Sequence, residues 1–392
     1  MGEREIPTVA RLRPFGSTIF HEMTSLAVRT GAVNLGQGFP DSDGPASMLE
    51  AARAAISGGL NQYPPGPGMP VLREAIADER ARFGVDYNPD GEVLVTVGAT
   101  EAIAATILGL VEPGREVILL EPYYDSYAAA VAMAGAERRT VALTFDGTRY
   151  GLDAAAVEAA VTEKTAMIVV NSPHNPTGTV FTRADIEAIA DIARRHDLLV
   201  LTDEVYEHLI FDDAVHVPIA TLPGMAERTV TVSSAAKTFN ATGWKIGWAC
   251  STPPLIDAVR TAKQFLTFVG GGPFQPAVAH ALTAERAWIG GLRESLQRRR
   301  DLLAKGLDEI GLRPSVSNGT YFVCADISGL TDMDAKDFCR MLPERFGVAA
   351  VPVSALADDQ QRYRSQVRFA FCKAEDVLVE AITRLDPLRD GL

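Results

Sequence analysis

The chain has 392 residues, 47% of them hydrophobic, which favours two domains, or one large domain with a smaller one docked on it. Its formal net charge of −13 disfavours a broad surface for nucleic acid or for anionic membranes, because both are polyanions. The four cysteines form no CxxC pair, and no apolar stretch is long enough to span a membrane. We therefore expect a cytoplasmic protein without a disulfide framework or a metal site, and with neither nucleic-acid nor membrane partners.

Helix-like and strand-like segments alternate up to about residue 285. Amphipathic periodicity predicts helices over 45–57 and 70–83. Short unbroken apolar runs, typical of strands covered on both faces, follow at 93–97, 116–121, 166–170, 198–203 and 229–234. With helical stretches between them, these runs predict an α/β domain with a mostly parallel sheet. Active-site groups should then collect at the carboxyl ends of its strands.

The pattern changes after about residue 285 to a long charged helix, followed by strand, helix, strand and helix. This order predicts a second, smaller α+β domain. We expect residues 45–285 to form the large domain, and residues 1–44 and 286–392 to form an N-terminal arm and the small domain.

Gly98 follows the predicted strand 93–97 and ends it, and a helix is predicted to begin near Thr100. Free backbone amides of Ala99 and Thr100 would then lie at a helix N-terminus, where an anionic phosphate would fit. An ordinary strand-to-helix turn with Thr100 as the N-cap is the commoner explanation of the same residues. The segment alone therefore favours the ordinary turn over a phosphate site.

Three tyrosines, Tyr123, Tyr124 and Tyr127, follow the next strand. Their rings could stack on a flat heteroaromatic ring, a contact worth about 0.5 to 1.5 kcal/mol beyond its buried area. Alternatively, they pack the helix that comes after them. The sequence does not separate these two roles.

Two further strand ends carry polar groups. In NSPHNPTG, turns constrained by proline aim the Asn175 amide at an acceptor above the sheet. In TDEVYEHL, Asp203 ends a strand and Tyr206 is predicted one helical turn further on. A carboxylate at a buried strand end is costly without a partner, and a protonated ring nitrogen would be one. His174 and His208 are interpreted as packing residues or as groups that tune Asp203, because no ligand spacing supports a metal.

Lys237 lies in SSAAKTFNATGWKIGW, directly after the strand 229–234. A lysine amine in such a place could hold a carbonyl cofactor as a Schiff base, although an isolated lysine is more often a solvated surface residue. The ordered motifs NSPHNPTG, TDEVYEHL and SSAAKTFNATGWKIGW resemble those of class I aminotransferases of fold type I, which depend on pyridoxal 5′-phosphate (PLP). The resemblance extends from VNLGQGFPD to VRFAFCK, which is essentially the whole chain.

Within that family, NLGQGFP and TGWKIGW are similar to the branch of kynurenine, glutamine and methionine aminotransferases. RLRPFGSTIFHEMTSLA, NQYPPGPG and TVGATEAIAA are similar to actinobacterial N-succinyldiaminopimelate aminotransferases. The resemblance implies a mostly parallel seven-stranded sheet between helices, a smaller α+β domain, and a homodimer with shared active sites.

The resemblance also implies roles for individual residues. Lys237 would form the Schiff base and move a proton between the substrate Cα and the cofactor, while Asp203 would keep the pyridine nitrogen protonated. Asn175 and Tyr206 would hydrogen-bond the phenolic oxygen of PLP, and Tyr124 would stack on its ring. The phosphate would be bound by Ala99, Thr100, Ser234 and Lys245, with Tyr63 reaching it from the neighbouring subunit. The substrate would be bound by Arg368, the Gly38 amide, Asn175 and Phe20.

We therefore predict ping-pong transamination between an L-amino acid and a 2-oxo acid, with glutamate and 2-oxoglutarate as one pair. The expected specific substrate is N-succinyl-L,L-diaminopimelate of lysine biosynthesis. A kynurenine, methionine or glutamine aminotransferase is an alternative. So is a PLP-dependent C–S β-lyase, which would share Lys237, Asp203 and Arg368. A ligand-sensing regulator is disfavoured, because no helix-turn-helix pattern precedes the predicted fold.

Overall fold

The structure, a computed structural model, describes residues 8–16 and 18–391 and is built on two main sheets. Its strands are β1 (Val33–Asn34), β2 (Val93–Val97), β3 (Glu116–Glu121), β4 (Glu137–Ala142), β5 (Thr144–Phe145), β6 (Tyr150–Gly151), β7 (Thr165–Asn171), β8 (Leu199–Asp203), β9 (Thr229–Ser234), β10 (Ile246–Cys250), β11 (Arg313–Pro314), β12 (Phe322–Asp326), β13 (Val348–Ala349), β14 (Val351–Pro352) and β15 (Gln366–Ala370). One sheet has seven strands in the order β2-β10-β9-β8-β7-β3-β4, and the other has four in the order β11-β12-β15-β14.

Helices cover both sheets. They are α1 (Ile19–Thr30), α2 (Ala46–Ser57), α3 (Pro70–Arg82), α4 (Gly98–Leu110), α5 (Asp125–Met133), α6 (Ala154–Ala160), α7 (Arg183–Arg195), α8 (Ala235–Thr238), α9 (Pro253–Lys263), α10 (Phe274–Ala284), α11 (Arg286–Ile310), α12 (Ala335–Arg345) and α13 (Glu375–Leu385). The helices predicted over 45–57 and 70–83 correspond to α2 and α3. None of the described helices combines the length and apolar character needed to cross a membrane.

The seven-stranded sheet is parallel except at β10, which runs antiparallel to β2 and β9. Consecutive side chains of a strand point to opposite faces, so Val117 and Leu119 of β3 pack in one core with α4, α5 and α9. Ile118 and Leu120 pack in another core with α7. This double burial explains the unbroken apolar runs, and the predicted α/β architecture with a mostly parallel sheet is confirmed. The edge strand β4 was not predicted, because its sequence is charged and mostly exposed.

The four-stranded sheet is antiparallel and shares one core with α1, α11, α12 and α13. The N-terminal part of the chain belongs to this region, because α1 packs on α12 and β1 pairs in parallel with β13. The domain boundaries at residues 45 and 285 stay a prediction.

Two local predictions are corrected at strand ends. α4 begins at Gly98 rather than near Thr100, and the N-cap position is held by Val97, without a side-chain cap. Gly98 has a φ of 74°, which glycine adopts at little cost and which turns the chain sharply out of β2. After β8, residues 205–208 form hydrogen-bonded turns rather than a turn of helix. The Tyr206 carbonyl accepts a hydrogen bond from the Leu209 amide at 2.8 Å in this turn.

Candidate active site

A cavity of about 340 Å³ opens where the carboxyl ends of β7, β8 and β9 face β12 and β15. Ligands of open α/β sheets bind at such strand ends. Every predicted site residue except Tyr63 lines this cavity: Phe20, Gly38, Ala99, Thr100, Tyr124, Asn175, Asp203, Tyr206, Ser234, Lys237, Lys245 and Arg368. The fold therefore gathers residues that are widely separated in the sequence.

Lys237 projects from the single turn of α8, directly after β9. Its Nζ donates a hydrogen bond to the Tyr321 hydroxyl at 2.7 Å. Burial lowers the pKa of the Lys237 amine to about 8, and the nearby cations Arg368 and Lys245 lower it as well. An amine with a depressed pKa is partly neutral near physiological pH, as a nucleophile or a proton acceptor must be.

Asp203 is the last residue of β8 and is 4% exposed. The Tyr127 hydroxyl donates to its Oδ2 at 2.6 Å, and the Val205 amide donates to its Oδ1 at 3.3 Å. Burial raises the pKa of Asp203 to about 6, although both hydrogen bonds and the Lys237 charge favour the ionised form. Both hydrogen-bond partners are neutral. A cationic group bound in the cavity would therefore stabilise this carboxylate.

Two asparagines form a relay beside Asp203. The side-chain amide of Asn171 donates to the Asp203 carbonyl at 2.8 Å, and its Oδ1 accepts from the Asn175 backbone amide at 2.7 Å. The Asn175 Oδ1 in turn accepts from Arg368 Nη1 at 3.0 Å. This bond fixes the orientation of the amide, so Nδ2 is the group that Asn175 can offer to a ligand.

Arg368 lies in β15 and is 1% exposed. Its guanidinium carbon lies 3.9 Å from the ring centroid of Phe322 and 5.1 Å from that of Phe20. Nη1 donates to Asn175, and Nη2 donates to the Gly36 carbonyl at 2.8 Å. These partners are neutral, and the buried Nε has no hydrogen-bond partner in the part of the chain that the structure describes. A buried guanidinium without a counter-ion is costly, so this end of the cavity is suited to a carboxylate.

The opposite end of the cavity is suited to a phosphate. α4 begins there with Gly98, Ala99 and Thr100, whose backbone amides lie in the first turn. Ser234, the last residue of β9, and Lys245 line the same end. A β-carbon on Gly98 would lie 3.0 Å from Lys245 Nζ, so the ammonium group rests against the start of the helix. Helix amides, a hydroxyl and an ammonium group together form an anion site.

Two tyrosines provide aromatic and hydroxyl groups between these ends. Tyr124 packs edge-on against Tyr127, with ring centroids 5.7 Å apart, and its own ring lines the cavity. Tyr206 is buried and packs edge-on against Tyr321 at 5.2 Å. Burial raises the pKa of the Tyr206 phenol above its ordinary value, so this hydroxyl remains a hydrogen-bond donor at neutral pH.

Tyr63 is the predicted site residue that lies outside the cavity. Its side chain is 82% exposed and packs edge-on against Phe268, with ring centroids 5.6 Å apart. An exposed position agrees with a residue that serves the site of a partner subunit, which stays a prediction.

The two histidines near the motifs are not site residues. His174 Nδ1 lies 2.8 Å from the Thr177 hydroxyl, and burial lowers the pKa of its ring to about 3. Burial also lowers the pKa of His208 to about 3. Neither ring lines the cavity, and the side chain that hydrogen-bonds the Asp203 carboxylate is Tyr127.

Three residues that contact the predicted ones were not identified as site residues from the sequence. Tyr127 follows a strand as part of an aromatic cluster, which did not reveal its bond to Asp203. Asn171 is the first residue of NSPHNPTG and the last of a strand, and this position could have marked it as a site residue. Tyr321 follows a glycine-containing turn in NGTYF, and no local pattern connects it with Lys237.

The residues of the cavity fit PLP. An anion site lies at one end, a buried carboxylate and a lysine amine lie between the ends, and an aromatic ring lines the wall. The buried acceptor Asp203 matches a protonated pyridine nitrogen, and the start of α4 matches a phosphate. Within residues 8–16 and 18–391, no group of three or more His, Cys, Asp or Glu side chains could hold a metal ion.

Comparisons with known proteins agree with this fit. Residues 30–385 match the family model "Aminotransferase class I and II". The chain is 60% identical to a probable N-succinyldiaminopimelate aminotransferase, DapC, of Mycobacterium tuberculosis, over 98% of this chain and 99% of that protein. It is 38% identical to a methionine aminotransferase of Escherichia coli, over 97% of this chain and 98% of that protein.

A solved structure gives the same result. The structure of N-succinyldiaminopimelate aminotransferase from M. tuberculosis superposes with a TM-score of 0.96 at 61% identity, covering 97% of this chain and all of that chain. The predicted family, the fold and the cofactor are therefore confirmed. The chain belongs to the class I and II aminotransferases, and it is a transaminase that uses PLP.

Proposed function

We propose that this transaminase exchanges an amino group between N-succinyl-L,L-diaminopimelate and 2-oxoglutarate, as a step of lysine biosynthesis. The observation that carries the substrate assignment is the 60% identity to the M. tuberculosis relative across nearly the full length of both chains. The reaction class rests on the cavity itself, in which a lysine amine, a buried carboxylate and a buried guanidinium face one another.

Lys237 is proposed as the residue that attaches PLP and moves the proton. When bound, PLP supplies a carbonyl carbon that takes the amino group and a ring that accepts the electrons of the substrate Cα–H bond. The lowered pKa of Lys237, about 8, allows its amine to take up that proton near neutral pH. The same amine would then give the proton to the carbonyl carbon of the bound cofactor, so that the amino group stays with the cofactor and the substrate leaves as a 2-oxo acid.

Asp203 is proposed to hold the ring nitrogen in its protonated form. A cation beside the buried carboxylate lowers the pKa of Asp203 and raises that of the nitrogen, since each charge stabilises the other. Tyr127 and the Val205 amide keep the carboxylate aimed into the cavity. Asn175 and Tyr206 are proposed to donate hydrogen bonds to the phenolic oxygen of the cofactor, and Tyr124 is proposed to pack on its ring.

Arg368 is proposed to bind the α-carboxylate of both substrates. Two parallel N–H donors suit a carboxylate, and each charged hydrogen bond contributes about 1.5 to 3 kcal/mol. Phe20 packs against this guanidinium and Gly38 lines the same cavity, and both are proposed to complete the carboxylate site. A β-carbon on Gly38 would lie 2.5 Å from the Phe322 ring, so only glycine fits between the backbone and that ring.

The cofactor phosphate is proposed to bind at the start of α4. Its proposed ligands are Ala99, Thr100, Ser234 and Lys245, with Tyr63 from the neighbouring subunit. The cationic residues that line the cavity are Lys237, Lys245 and Arg368. Because each already has a role at the cofactor or the α-carboxylate, the additional carboxylates of a succinylated pimelate need partners from elsewhere, such as a second subunit.

We further propose a homodimer that shares its active sites. Exposed apolar side chains, here called the loop patch, support it: Tyr63, Phe265, Leu266 and Phe268 are 82%, 84%, 48% and 52% exposed. The loop patch adjoins the phosphate end of the cavity, because the Thr267 hydroxyl hydrogen-bonds Glu101 in the first turn of α4. Covering large apolar side chains is a main driving force of subunit association.

Phe265→Asp tests this arrangement. We expect the variant to be monomeric and to bind PLP less tightly, because a charge in the interface is costly to desolvate. Light scattering coupled to gel filtration measures the oligomeric state. Val379→Asp, at a 50% exposed apolar residue of α13, is the matched control and should remain dimeric. A Phe265→Asp protein that keeps its dimer would contradict the proposed interface.

The cysteines support a cytoplasmic location, which we also propose. Cys250, Cys324, Cys339 and Cys372 are all buried free thiols. Reduced thiols of this kind are typical of cytosolic proteins. Recovery of native enzyme from a membrane or secreted fraction would contradict this location.

The substrate assignment is tested by ranking amino donors by kcat/KM with 2-oxoglutarate as acceptor. N-succinyl-L,L-diaminopimelate should rank first, ahead of methionine, kynurenine and glutamine. A flat response to the succinylated donor beside strong methionine or kynurenine turnover would overturn the assignment. Release of pyruvate and ammonia from a β-substituted amino acid without any oxo acid would instead favour the C–S β-lyase.

A further inference from the structure

Tyr321 lies immediately before β12 and is 1% exposed. Its hydroxyl accepts a hydrogen bond from Lys237 Nζ at 2.7 Å and donates one to the Gly38 carbonyl. Its ring packs edge-on against Tyr206 and Phe322, with centroids 5.2 Å and 4.8 Å away. Tyr321 therefore joins three separate segments at the lysine amine.

The direction of these two bonds follows from the available protons. A phenol has one proton, and the Gly38 carbonyl can only accept, so the Tyr321 proton is directed to Gly38. Toward Lys237 the phenol oxygen can then act only as an acceptor, and the amine must donate. In the neutral amine the lone pair consequently points away from Tyr321, since the N–H that faces the phenol occupies that direction.

The position of the Tyr321 hydroxyl is strongly determined. A β-carbon on Gly38 would lie 2.8 Å from the Tyr321 ring, so the backbone at Gly38 packs directly against that ring. Burial raises the pKa of the Tyr321 phenol well above its ordinary value, which keeps the proton on the oxygen at working pH. The ring cannot turn its hydroxyl elsewhere without losing its edge-on contact with Tyr206.

We propose that Tyr321 is a positioning residue that orients the free amine of Lys237 for proton transfer at the substrate Cα. In this step the Cα–H bond breaks and its electron pair passes to the bound cofactor. The proton then forms a new N–H bond at the lysine lone pair. Tyr321 exchanges no proton; it holds one amine N–H so that the lone pair faces the cavity. The inference rests on the proposed role of Lys237 and is independent of which amino donor is physiological.

Tyr321→Phe removes the hydroxyl and keeps the ring. We expect the single-turnover rate with glutamate to fall about tenfold, because a mobile amine is correctly oriented for less of the time. The kinetic isotope effect for Cα-deuterated glutamate should rise, since proton transfer becomes more rate-limiting. Half-saturation by glutamate and affinity for PLP should stay within about twofold of the wild type, because neither site loses a direct contact.

The matched control is Tyr363→Phe, which removes the hydroxyl of another buried tyrosine that hydrogen-bonds a backbone carbonyl. That hydroxyl donates to the Glu121 carbonyl at 2.8 Å and does not line the cavity. Its loss should leave the rate and the isotope effect unchanged. An unaltered rate in Tyr321→Phe, or a slower rate with an unaltered isotope effect and weaker PLP binding, would overturn the positioning role.

A second measurement separates positioning from a general loss of structure. Methylamine added to Lys237→Ala supplies an untethered amine, so the rescued rate should be the same with and without Tyr321→Phe. A lower rescued rate in the double variant would contradict action through Lys237. Absence of any glutamate half-reaction in the wild type would instead overturn the proposed function itself.

Discussion

The cavity has two walls that the chain builds in different ways. The sheet wall, formed by Asn175, Asp203, Tyr206, Ser234 and Lys237, consists of residues at the carboxyl ends of parallel strands or in the loops just after them. The cap wall, formed by Phe20, Gly38, Phe322 and Arg368, is assembled from the N-terminal segment and the four-stranded sheet, and Tyr321 supports it through its hydrogen bond to Gly38. The sheet wall carries the proposed bond-breaking groups, and the cap wall with Tyr321 is proposed to hold the substrate and the lysine in place. Their separation means that changes on the two walls should differ in kind.

The largest expected effect is on the sheet wall, at Lys237. Lys237→Ala removes the amine proposed to attach the cofactor and carry the proton, so single-turnover transamination of glutamate should slow by about 10⁴-fold or more. Lys305→Ala, at an exposed lysine of α11, is a lysine control that is away from the cavity. Full activity in Lys237→Ala would remove the basis for the sheet wall as the reacting surface.

The next effect, also on the sheet wall, is at Asp203. Asp203→Asn removes the charge proposed to keep the ring nitrogen protonated, so the single-turnover rate should fall by about 10² to 10³-fold with little change in half-saturation. Tyr127→Phe keeps the Asp203 carboxylate and removes one of its hydrogen bonds, so the single-turnover rate should fall less than in Asp203→Asn. A raised half-saturation at an unchanged rate would show that Asp203 binds substrate and would break the distinction between the walls.

On the cap wall, Arg368→Lys should show the opposite pattern. A lysine keeps the charge but lacks the two-pronged donor, so half-saturation by glutamate should rise about 10 to 100-fold. The rate at saturation should change much less. Arg313→Lys, at an exposed arginine of the same sheet, should leave both unchanged. A fall in the saturated rate alone would assign Arg368 to the chemistry.

The smallest expected effect concerns stability without cofactor. The folded pKa of Asp203 is about 6, above its ordinary 3.8, so the folded state holds the proton more tightly and loses stability as pH rises through this interval. Asp203→Asn does not titrate. The gap in unfolding free energy between the variant and the wild-type apoprotein should therefore widen, in favour of the variant, by about 1 kcal/mol from pH 5 to pH 8. Denaturant titrations at both pH values measure it, and a constant or shrinking gap would contradict the raised pKa.

The two walls also differ in what the sequence could predict. Apolar runs located the strands β7, β8 and β9, and the polar residue after each run was then a natural candidate. This reasoning failed at the edge strand β4, where only one face is covered and the apolar signal is lost. The helical turn predicted at Tyr206 was wrong. Hydrogen bonds to residues distant in the sequence, such as that from the Glu204 amide to the Val232 carbonyl, shape this loop, and the local spacing of residues cannot indicate them.

The cap wall depends on contacts between distant residues. Tyr321 lies 84 residues from Lys237 and 283 from Gly38, so no local pattern could indicate that its hydroxyl lies between them. Arg368 was identified only through the resemblance to class I aminotransferases. Its neutral partners and its unpaired Nε, which explain why a carboxylate suits this site, required the folded structure.

Lys237 is the residue that we expect to bind the cofactor. Borohydride reduction of the wild-type holoenzyme, followed by proteolysis and mass spectrometry, identifies the lysine that carries PLP. We predict that the label is found on the peptide containing Lys237, and that it is absent from the Lys237→Ala protein. Label on Lys245 or Lys263 instead, or an unlabelled Lys237 peptide from active enzyme, would contradict the assignment of Lys237 as the residue that binds PLP.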